Sequence, residues 1–262
     1  MRGWAKVALA LSSAIVLSPG LASAQSEKEV DHHAQVWVSL NSTSRFSDRW
    51  GAVADVHVRR DDFLAEPSFY FVRFGAHFWA SERLTLTLGY AHTWLPPSRE
   101  DWETWSNENR VYQQLQYAGS VGRLAVLQRV RNEQRWKETI VDDAPTGDST
   151  FSDRVRYLLS LSLPVAQSPK ALALVLSDEI LLQFGHSVVL NTFDQNRLFG
   201  GVKVALSKTW SFDLGYMQVF QQKPTGYQYD LNHTLRWFFY WTPDWRSGSR
   251  GGHAPAEGGE SL

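Results

Sequence analysis

The stretch QRVRNEQRW, residues 128–136, places four charged side chains at every second position. Successive side chains of a β-strand point to opposite faces, so in an extended chain these four would share one face. They are Arg129, Arg131, Glu133 and Arg135. A row of buried charges needs water or opposite charges around it, and the enclosed interior of a β-barrel can supply both.

The composition of the 262-residue chain excludes a bundle of membrane helices. Only 43% of the residues are hydrophobic and the mean hydropathy is -0.32, whereas a spanning helix needs a run of about 20 apolar residues. Aromatic residues nonetheless make up 13% of the chain, including 12 Trp. Such an excess is typical of proteins that meet the boundary between water and lipid. A soluble, aromatic-rich β protein is the alternative.

Residues 1–24 have the pattern of a secretory signal peptide. Arg2 and Lys6 flank the apolar run VALALSSAIVL, and Ala22 and Ala24 stand at the A-x-A positions, so cleavage is expected before Gln25. Its removal takes away two basic residues and leaves 24 basic against 27 acidic ones. A net charge near zero excludes the basic footprint of a nucleic-acid-binding protein.

A polar leader, residues 25–33, precedes eleven segments whose side chains alternate in character. Most are ten residues or longer, which suits tilted membrane strands. The predicted strands cover residues 34–42, 49–60, 66–79, 83–95, 107–118, 123–136, 152–164, 171–183, 195–206, 210–221 and 229–241.

The connections between these segments alternate between short and long. SRFSD and ASER are short, for example, whereas PPSREDWETWS and KETIVDDAPTGDST are long. Outer-membrane barrels have short periplasmic turns and longer extracellular loops. The sequence therefore predicts an all-β fold, a closed antiparallel transmembrane β-barrel over 34–241, located as a monomer in the outer membrane of a Gram-negative bacterium.

The strand number and the end of the chain complete this prediction. Bacterial single-chain barrels have even strand counts, so about twelve strands are expected, with ten as the alternative. Residues 242–262 are rich in glycine and poor in aromatic residues, and they are predicted to form a disordered tail.

The same alternation assigns a charged set to the lumen and a tryptophan set to the two lipid interfaces. Adjacent strands lie about 4.8 Å apart, so the lumen charges can form cross-strand ion pairs. The predicted lumen residues are Glu108, Arg110, Arg129, Arg131, Glu133, Arg135, Arg154, Arg156, Glu179, Arg197, Lys203, Asp213 and Arg236. The predicted aromatic girdles contain Trp50, Trp79, Trp94, Trp136, Trp210, Trp237 and Trp241.

Two interpretations of the charged lumen remain open. The charges either brace the wall as a polar filling, or they line a narrow, porin-like passage that favours small anions because basic residues outnumber acidic ones. The interior of an eight-stranded barrel is filled by side chains, whereas a sixteen-stranded barrel has an open channel. A barrel of about twelve strands lies between these cases, so the strand number does not distinguish the two interpretations.

No catalytic residues are predicted, and an outer-membrane lipid hydrolase or deacylase is the alternative function. Such an enzyme needs a nucleophile beside a base, at a height that acyl chains reach. His92 and His233 are candidate bases on the lipid-facing side, and Ser162, Ser177 and Ser187 are candidate nucleophiles, but no spacing links them.

The sequence indicates no metal or cofactor. The chain has no cysteine, which excludes disulfides and thiolate metal sites, and the two adjacent histidines of DHH at 31–33 are weak evidence for a metal. No glycine-rich phosphate loop follows a strand. The expected partners are outer-membrane lipid, the barrel-assembly machinery during insertion, and small solutes.

Several segments resemble the bacterial domain-of-unknown-function 2490 family. They are ENRVYQQLQY, RVRNEQRW, FSDRVRYLLSLSLP, LVLSDEILLQFG, FDQNRLFGGVKVALSKTWSFDLGYMQ and NHTLRWFFYW. The most specific is DQNRLFGG with LSKTWSFDLGY, and the resemblance covers roughly residues 34–241. It implies an outer-membrane β-barrel with charged strands and no assigned activity. The glycine-rich tail departs from the family's usual ending at the last aromatic strand.

Overall fold

The computed structural model describes residues 27–166 and 171–246. The segments with alternating side chains pair through their backbones into one sheet of eleven strands. The strands are β1 (Glu29–Arg45), β2 (Trp50–Asp61), β3 (Glu66–Trp79), β4 (Leu84–Leu95), β5 (Ser106–Val121), β6 (Leu124–Val141), β7 (Ala144–Ala166), β8 (Leu172–Phe184), β9 (Phe193–Ala205), β10 (Trp210–Gln222) and β11 (Gln228–Trp241). No helix among the described residues is long and apolar enough to cross a membrane.

The sheet closes into a barrel. Each strand pairs antiparallel with the next in the chain, whereas β1 and β11 pair in parallel, from Glu29 opposite Gln228 to Ser42 opposite Trp241. The prediction of a closed all-β barrel is confirmed. The described residues form eleven strands rather than twelve or ten, and parallel closure is what an odd number requires because consecutive strands alternate in direction.

The structure corrects the predicted leader. The boundary at residue 34 is wrong, because β1 already begins at Glu29 and residues 29–33 pair with β11. Just before it, the Lys28 ammonium lies 4.5 Å from the ring centre of Phe220 and 4.3 Å from that of Tyr229. Backbone pairing with β11 makes this segment a strand although four of its five side chains are polar.

The structure also corrects the first part of the predicted disordered tail. The Thr242 N–H donates to the Thr209 carbonyl, and the Trp245 N–H donates to the Arg45 carbonyl, both at 2.8 Å. Residues 242–246 are therefore held against the barrel. The signal peptide predicted at 1–24 and the tail beyond residue 246 lie outside the described residues.

The connections define two rims. The turns at 46–49, 80–83, 122–123 and 206–209 lie on one side, here called the short-turn rim. The opposite side, the long-connection rim, carries the connections at 62–65, 96–105, 142–143, 185–192 and 223–227.

One predicted long loop is a hairpin. The segment 137–151 continues β6 and β7 to a tight turn at Asp142 and Asp143, whose φ angles are 51° and 58°. Positive φ at both central residues is the geometry of the two-residue hairpin turn, which Asp tolerates better than most residues. The hairpin therefore extends past the neighbouring strands at the long-connection rim.

Large apolar side chains lie on the outer wall. Leu88, Leu176 and Trp237 are exposed, and Leu159 and Leu161 are half-buried on the same side. The inner wall instead holds charged, polar and aromatic residues, with a larger apolar cluster of Trp37, Val175, Phe199, Met217, Val219, Phe238 and Tyr240 and a smaller one of Phe71 and Ala91. This arrangement inverts that of a soluble barrel, in which apolar side chains face inward.

Two paired glycines on β9 and β10 leave room on the inner wall for the ring of Phe199. Gly201 on β9 lies opposite Gly215 on β10, beside the buried ring of Phe199. A Cβ atom at Gly201 would lie 2.6 Å from the Phe199 ring and 2.9 Å from the Gly215 Cα, and it would also contact the Leu214 carbonyl oxygen. Side chains are excluded here because backbone atoms, which cannot turn away, form part of the contact.

Gly201→Ala is expected to lower the free energy of unfolding by about 1–3 kcal/mol, the usual cost of overpacking. Gly200→Ala is the matched control, because Gly200 is exposed and a Cβ there would meet nothing within 4 Å. The measurement is urea unfolding of the barrel in detergent. Equal midpoints for the two variants would contradict the assigned packing.

Candidate functional site: the charged lumen

Arg156 joins two buried glutamates at the centre of the lumen. Its guanidinium donates to Glu133 on β6 at 3.0 Å and to Glu179 on β8 at 2.6 Å. The Arg156 side chain is fully buried, and the glutamates are almost so. Charge-assisted contacts of this kind are strong because each carboxylate oxygen accepts from a fixed guanidinium fork.

Further arginines surround these glutamates. Glu133 also accepts from Arg154 at 2.6 Å, and Arg154 reaches Asp194 at 2.9 Å. Glu179 also accepts from Arg129 at 2.8 Å and lies 3.5 Å from Arg197. Glu133 is directly opposite Arg154 in the strand register, as Glu179 is opposite Arg197, so the charges form a cross-strand ladder over β6–β9. The name Arg–Glu ladder is used for these residues together with Arg156.

Separate ion pairs occupy other parts of the inner wall. Glu108 accepts from Arg110 at 2.5 Å and from Arg135 at 2.7 Å. Asp213 on β10 accepts from Arg236 at 2.8 Å and from the Tyr240 hydroxyl at 2.7 Å. Asp55 and Arg73 form a further buried pair on β2 and β3.

Arginines also pack on aromatic rings of the same strand or of nearby strands. The Arg236 guanidinium lies 4.0 Å from the ring centre of Phe199 and 4.4 Å from that of Phe238. The Arg131 guanidinium lies 5.0 Å from the ring centre of Tyr112. Cation–π contacts gain strength when they are shielded from water, so they help to hold charge inside the barrel.

The structure places all thirteen predicted lumen residues on the inner wall, where Arg135 and Lys203 are half-buried and the others buried. The prediction omitted Asp55, Arg59, Arg73 and Asp194, which are also buried. The sequence of β2 did indicate which of its residues face the lumen, because Asp55, His57 and Arg59 alternate with valines. Asp178 points outward, where its carboxylate accepts from the Asn196 amide at 2.6 Å.

The tryptophan prediction is wrong for Trp79. That side chain is buried on the inner wall, because it shares the facing of His77 and packs over Gly51, whose missing side chain leaves room for the indole. The Arg45 guanidinium lies 4.7 Å from the Trp79 ring centre. The other predicted girdle residues lie on the outer wall: Trp50, Trp94, Trp136, Trp210 and Trp237 are exposed and Trp241 is half-buried.

Two of the cavities among the described residues lie at different heights in the lumen. The vestibule, about 290 Å³, is toward the long-connection rim and is lined by Arg59, Glu108, Arg110, Arg135, Arg154 and Arg197 among others. The cup, about 590 Å³, is toward the short-turn rim and is lined by Leu127, Ser160, Val175, Lys203, Ala205 and Asp213 among others. Along β7, Arg156 and Leu158 lie between the two cavities and both are buried.

Residues 34–230 match a family described as a protein of unknown function, DUF2490. The chain belongs to the DUF2490 family. This confirms the resemblance found in the sequence, and the matched region runs from β1 into β11.

Two further comparisons concern the DUF2490 protein. The β domain of the Bordetella autotransporter BrkA is similar in structure, with 9% sequence identity and a TM-score of 0.42 over 72% of this chain and 79% of that chain. A likeness this distant carries no argument about function. No curated protein matches the sequence.

The DUF2490 protein does not bring the proposed hydrolase residues together. His92 and His233 are on the outer wall, where His92 contacts Asn109 at 2.9 Å and His233 contacts Tyr216 at 2.7 Å. Ser177 is buried on the inner wall. Ser162 also faces inward, and Ser187 in the 185–192 connection donates to the Phe151 carbonyl. Among the described residues, no group of three or more His, Asp or Glu is placed to hold a metal.

Asp143, at the tip of the β6–β7 hairpin, holds the 96–105 connection of the DUF2490 protein. Its carboxylate accepts from the backbone N–H of Thr104 at 2.7 Å and of Glu103 at 3.0 Å. The Thr104 N–H is the main reason that the pKa of Asp143 is below its ordinary value. A lowered folded-state pKa means that the contact stabilises the connection above the ordinary carboxyl pKa and is lost as the pH falls through the lower value.

Asp143→Asn is expected to loosen the 96–105 connection, because a neutral amide oxygen accepts hydrogen bonds less strongly than a carboxylate. Trypsin cleavage after the exposed Arg99 should then be faster than in the parent chain. Asp142→Asn is the matched control, because both residues have positive φ, which Asn tolerates. Equal cleavage rates in the two variants would contradict the role of Asp143.

Glu179→Gln is expected to destabilise the barrel by about 3–5 kcal/mol, because it leaves buried arginines without their carboxylate. Asp178→Asn is the control on the adjacent outward position and should not lower stability, because it only makes a side chain on the outer wall neutral. The measurement is the temperature at which the barrel loses its compact gel migration. A Glu179→Gln midpoint equal to that of the control would show that the Arg–Glu ladder does not stabilise the fold.

Proposed function

We propose that this DUF2490 protein is an outer-membrane β-barrel that is closed at mid-height, so that it spans the membrane without forming an open pore. The apolar outer wall supports a lipid environment. Arg or Lys facing lipid at the membrane midplane would cost about 2–4 kcal/mol each, and the buried arginines instead point inward.

The arrangement of the rims supports an orientation. The short-turn rim fits the periplasmic side and the long-connection rim fits the cell exterior, as in other outer-membrane barrels. Outward tryptophans support a membrane-spanning placement rather than either orientation, because Trp94 and Trp136 lie toward the long-connection rim while Trp50 and Trp210 adjoin short turns. Indole rings favour the headgroup level on both sides of a membrane.

The main support for a closed lumen is the layer of buried side chains between the vestibule and the cup. Arg156, Glu179 and Phe199 in this layer each have 3% or less of their surface exposed. Barrels of eight strands are filled by their side chains. In this wider barrel the long side chains of arginine, glutamate and the aromatic residues occupy the additional space.

A second candidate function is a narrow passage for small anions. Among the described residues, nine arginines are buried against six aspartates and glutamates, so the interior has an excess of positive charge. If the Arg–Glu ladder rearranged to open a path, that excess would favour anions over cations. The hydrolase alternative has weaker support, because the wall of the barrel separates His92 and His233 from Ser162 and Ser177.

In planar bilayers, the purified full-length protein is expected to show no steady conductance. Its closed-barrel state is first checked by gel migration before and after boiling. A steady, anion-preferring conductance that Arg129→Glu with Arg131→Glu weakens or reverses would contradict the closed state and establish the passage instead. A cation-preferring conductance would contradict both functions.

A further inference from the structure

Arg59 differs from the other buried arginines because aromatic rings, rather than a carboxylate, contact its guanidinium. It is on the inner wall of β2, directly opposite Trp37 on β1 and Phe69 on β3. The centre of its guanidinium lies 3.3 Å from the Trp37 ring centre and 4.1 Å from the Phe69 ring centre. Rings from both neighbouring strands therefore cover the guanidinium, and its N–H edge is what remains for polar contacts.

That edge has no protein partner within the described part of the chain. Nε and Nη2 of Arg59 are buried and make no hydrogen bond, and no carboxylate lies within ion-pair distance. The residue is only 2% exposed, so water does not surround the charge. A buried charge without a partner is costly, and cation–π contacts offset only part of that cost.

The charges around Arg59 repel it further. The charged groups that act on it most strongly are four other arginines, namely Arg110, Arg154, Arg156 and Arg197. Of the two carboxylates that line the vestibule, Glu108 is already paired with Arg110 and Arg135, and Asp194 with Arg154. The vestibule is therefore lined by six basic side chains and only two carboxylates.

The vestibule has the size and access of a binding site. Its volume of about 290 Å³ is at the lower end of the range for small-molecule pockets. The exposed Lys137 and the half-buried Ser68 and Leu95 also line it, so it reaches the long-connection rim. A solute from that side could enter without disturbing the Arg–Glu ladder below.

We propose that the vestibule binds a small solute through a carboxylate or phosphate group, with Arg59 as the principal contact. A guanidinium presents parallel N–H donors that match two oxygens of such a group, and the flanking rings hold it in a fixed plane. The inference rests on the closed lumen proposed above, because an open pore would leave no blind-ended vestibule. Chloride cannot make the paired contact and should bind less well.

The test uses the full-length protein in detergent, with its thermal midpoint followed by gel migration. Inorganic phosphate, succinate and chloride are compared at equal ionic strength, because a ligand that binds only the folded state raises the midpoint. Phosphate, succinate or both should raise the midpoint above that in chloride. Phosphate alone would identify a phosphate site, and succinate alone a carboxylate site. Equal midpoints in all three salts would overturn the proposal.

Variants locate the effect. Arg59→Gln should abolish the rise, while Arg123→Gln, an equal charge change on an exposed residue at the short-turn rim, should retain it. Arg59→Lys preserves the charge without the planar fork and should shift the half-effective concentration upward by about tenfold. A rise that survives in Arg59→Lys at the same concentration, or in Arg59→Gln, would refute the role of Arg59. Equal midpoints in the three salts would overturn the binding site but would not change the conductance result. The binding site and the closed lumen are therefore tested separately.

Discussion

Each charge that points into this barrel must find a partner inside a closed ring of strands. Closure encloses every second side chain, and the ring leaves little room for water at mid-height. Guanidinium groups satisfy this constraint in two ways: by forked contacts with Glu133 and Glu179, and by packing on rings such as Phe199. The lumen at mid-height is thus a packed layer of charged and aromatic side chains.

The same constraint divides the buried charges into those that pair with one another and those that remain able to bind a ligand. Charges of the Arg–Glu ladder are bound to one another and brace neighbouring strands, so removing one member leaves several others uncompensated. Arg59 is held by aromatic rings instead of a carboxylate, and it lines the vestibule. Any ligand chemistry of this protein is therefore expected above the ladder, on the side of the long connections, rather than through the barrel.

Local alternation was sufficient to predict the eleven extended segments and the facing of the lumen charges, because a period of two residues is a property of the strand itself. Features that depend on distant partners were not predictable. Parallel pairing of β1 with β11 makes the mostly polar segment 29–33 part of a strand, and it permits an odd strand number. Trp79 faces inward because Gly51 on the next strand makes room for it. Which arginine lacks a carboxylate depends on the complete three-dimensional arrangement, so Arg59 could not be recognised from its neighbours in the sequence.

Spin-label accessibility along β8 distinguishes a packed barrel with a lipid-facing outer wall from an open or a soluble barrel. The chain has no cysteine, so single cysteines can be introduced in turn at Leu174, Val175, Leu176 and Ser177 in the barrel reconstituted in lipid. Labels at 174 and 176 should be reached by oxygen dissolved in lipid. A label at 175 lines the cup and should be reached by a water-soluble nickel reagent from the short-turn rim at most, whereas a label at 177 should be immobile and shielded from both reagents. Access of the nickel reagent to 177 from both rims, or to 174 and 176, would contradict this packing.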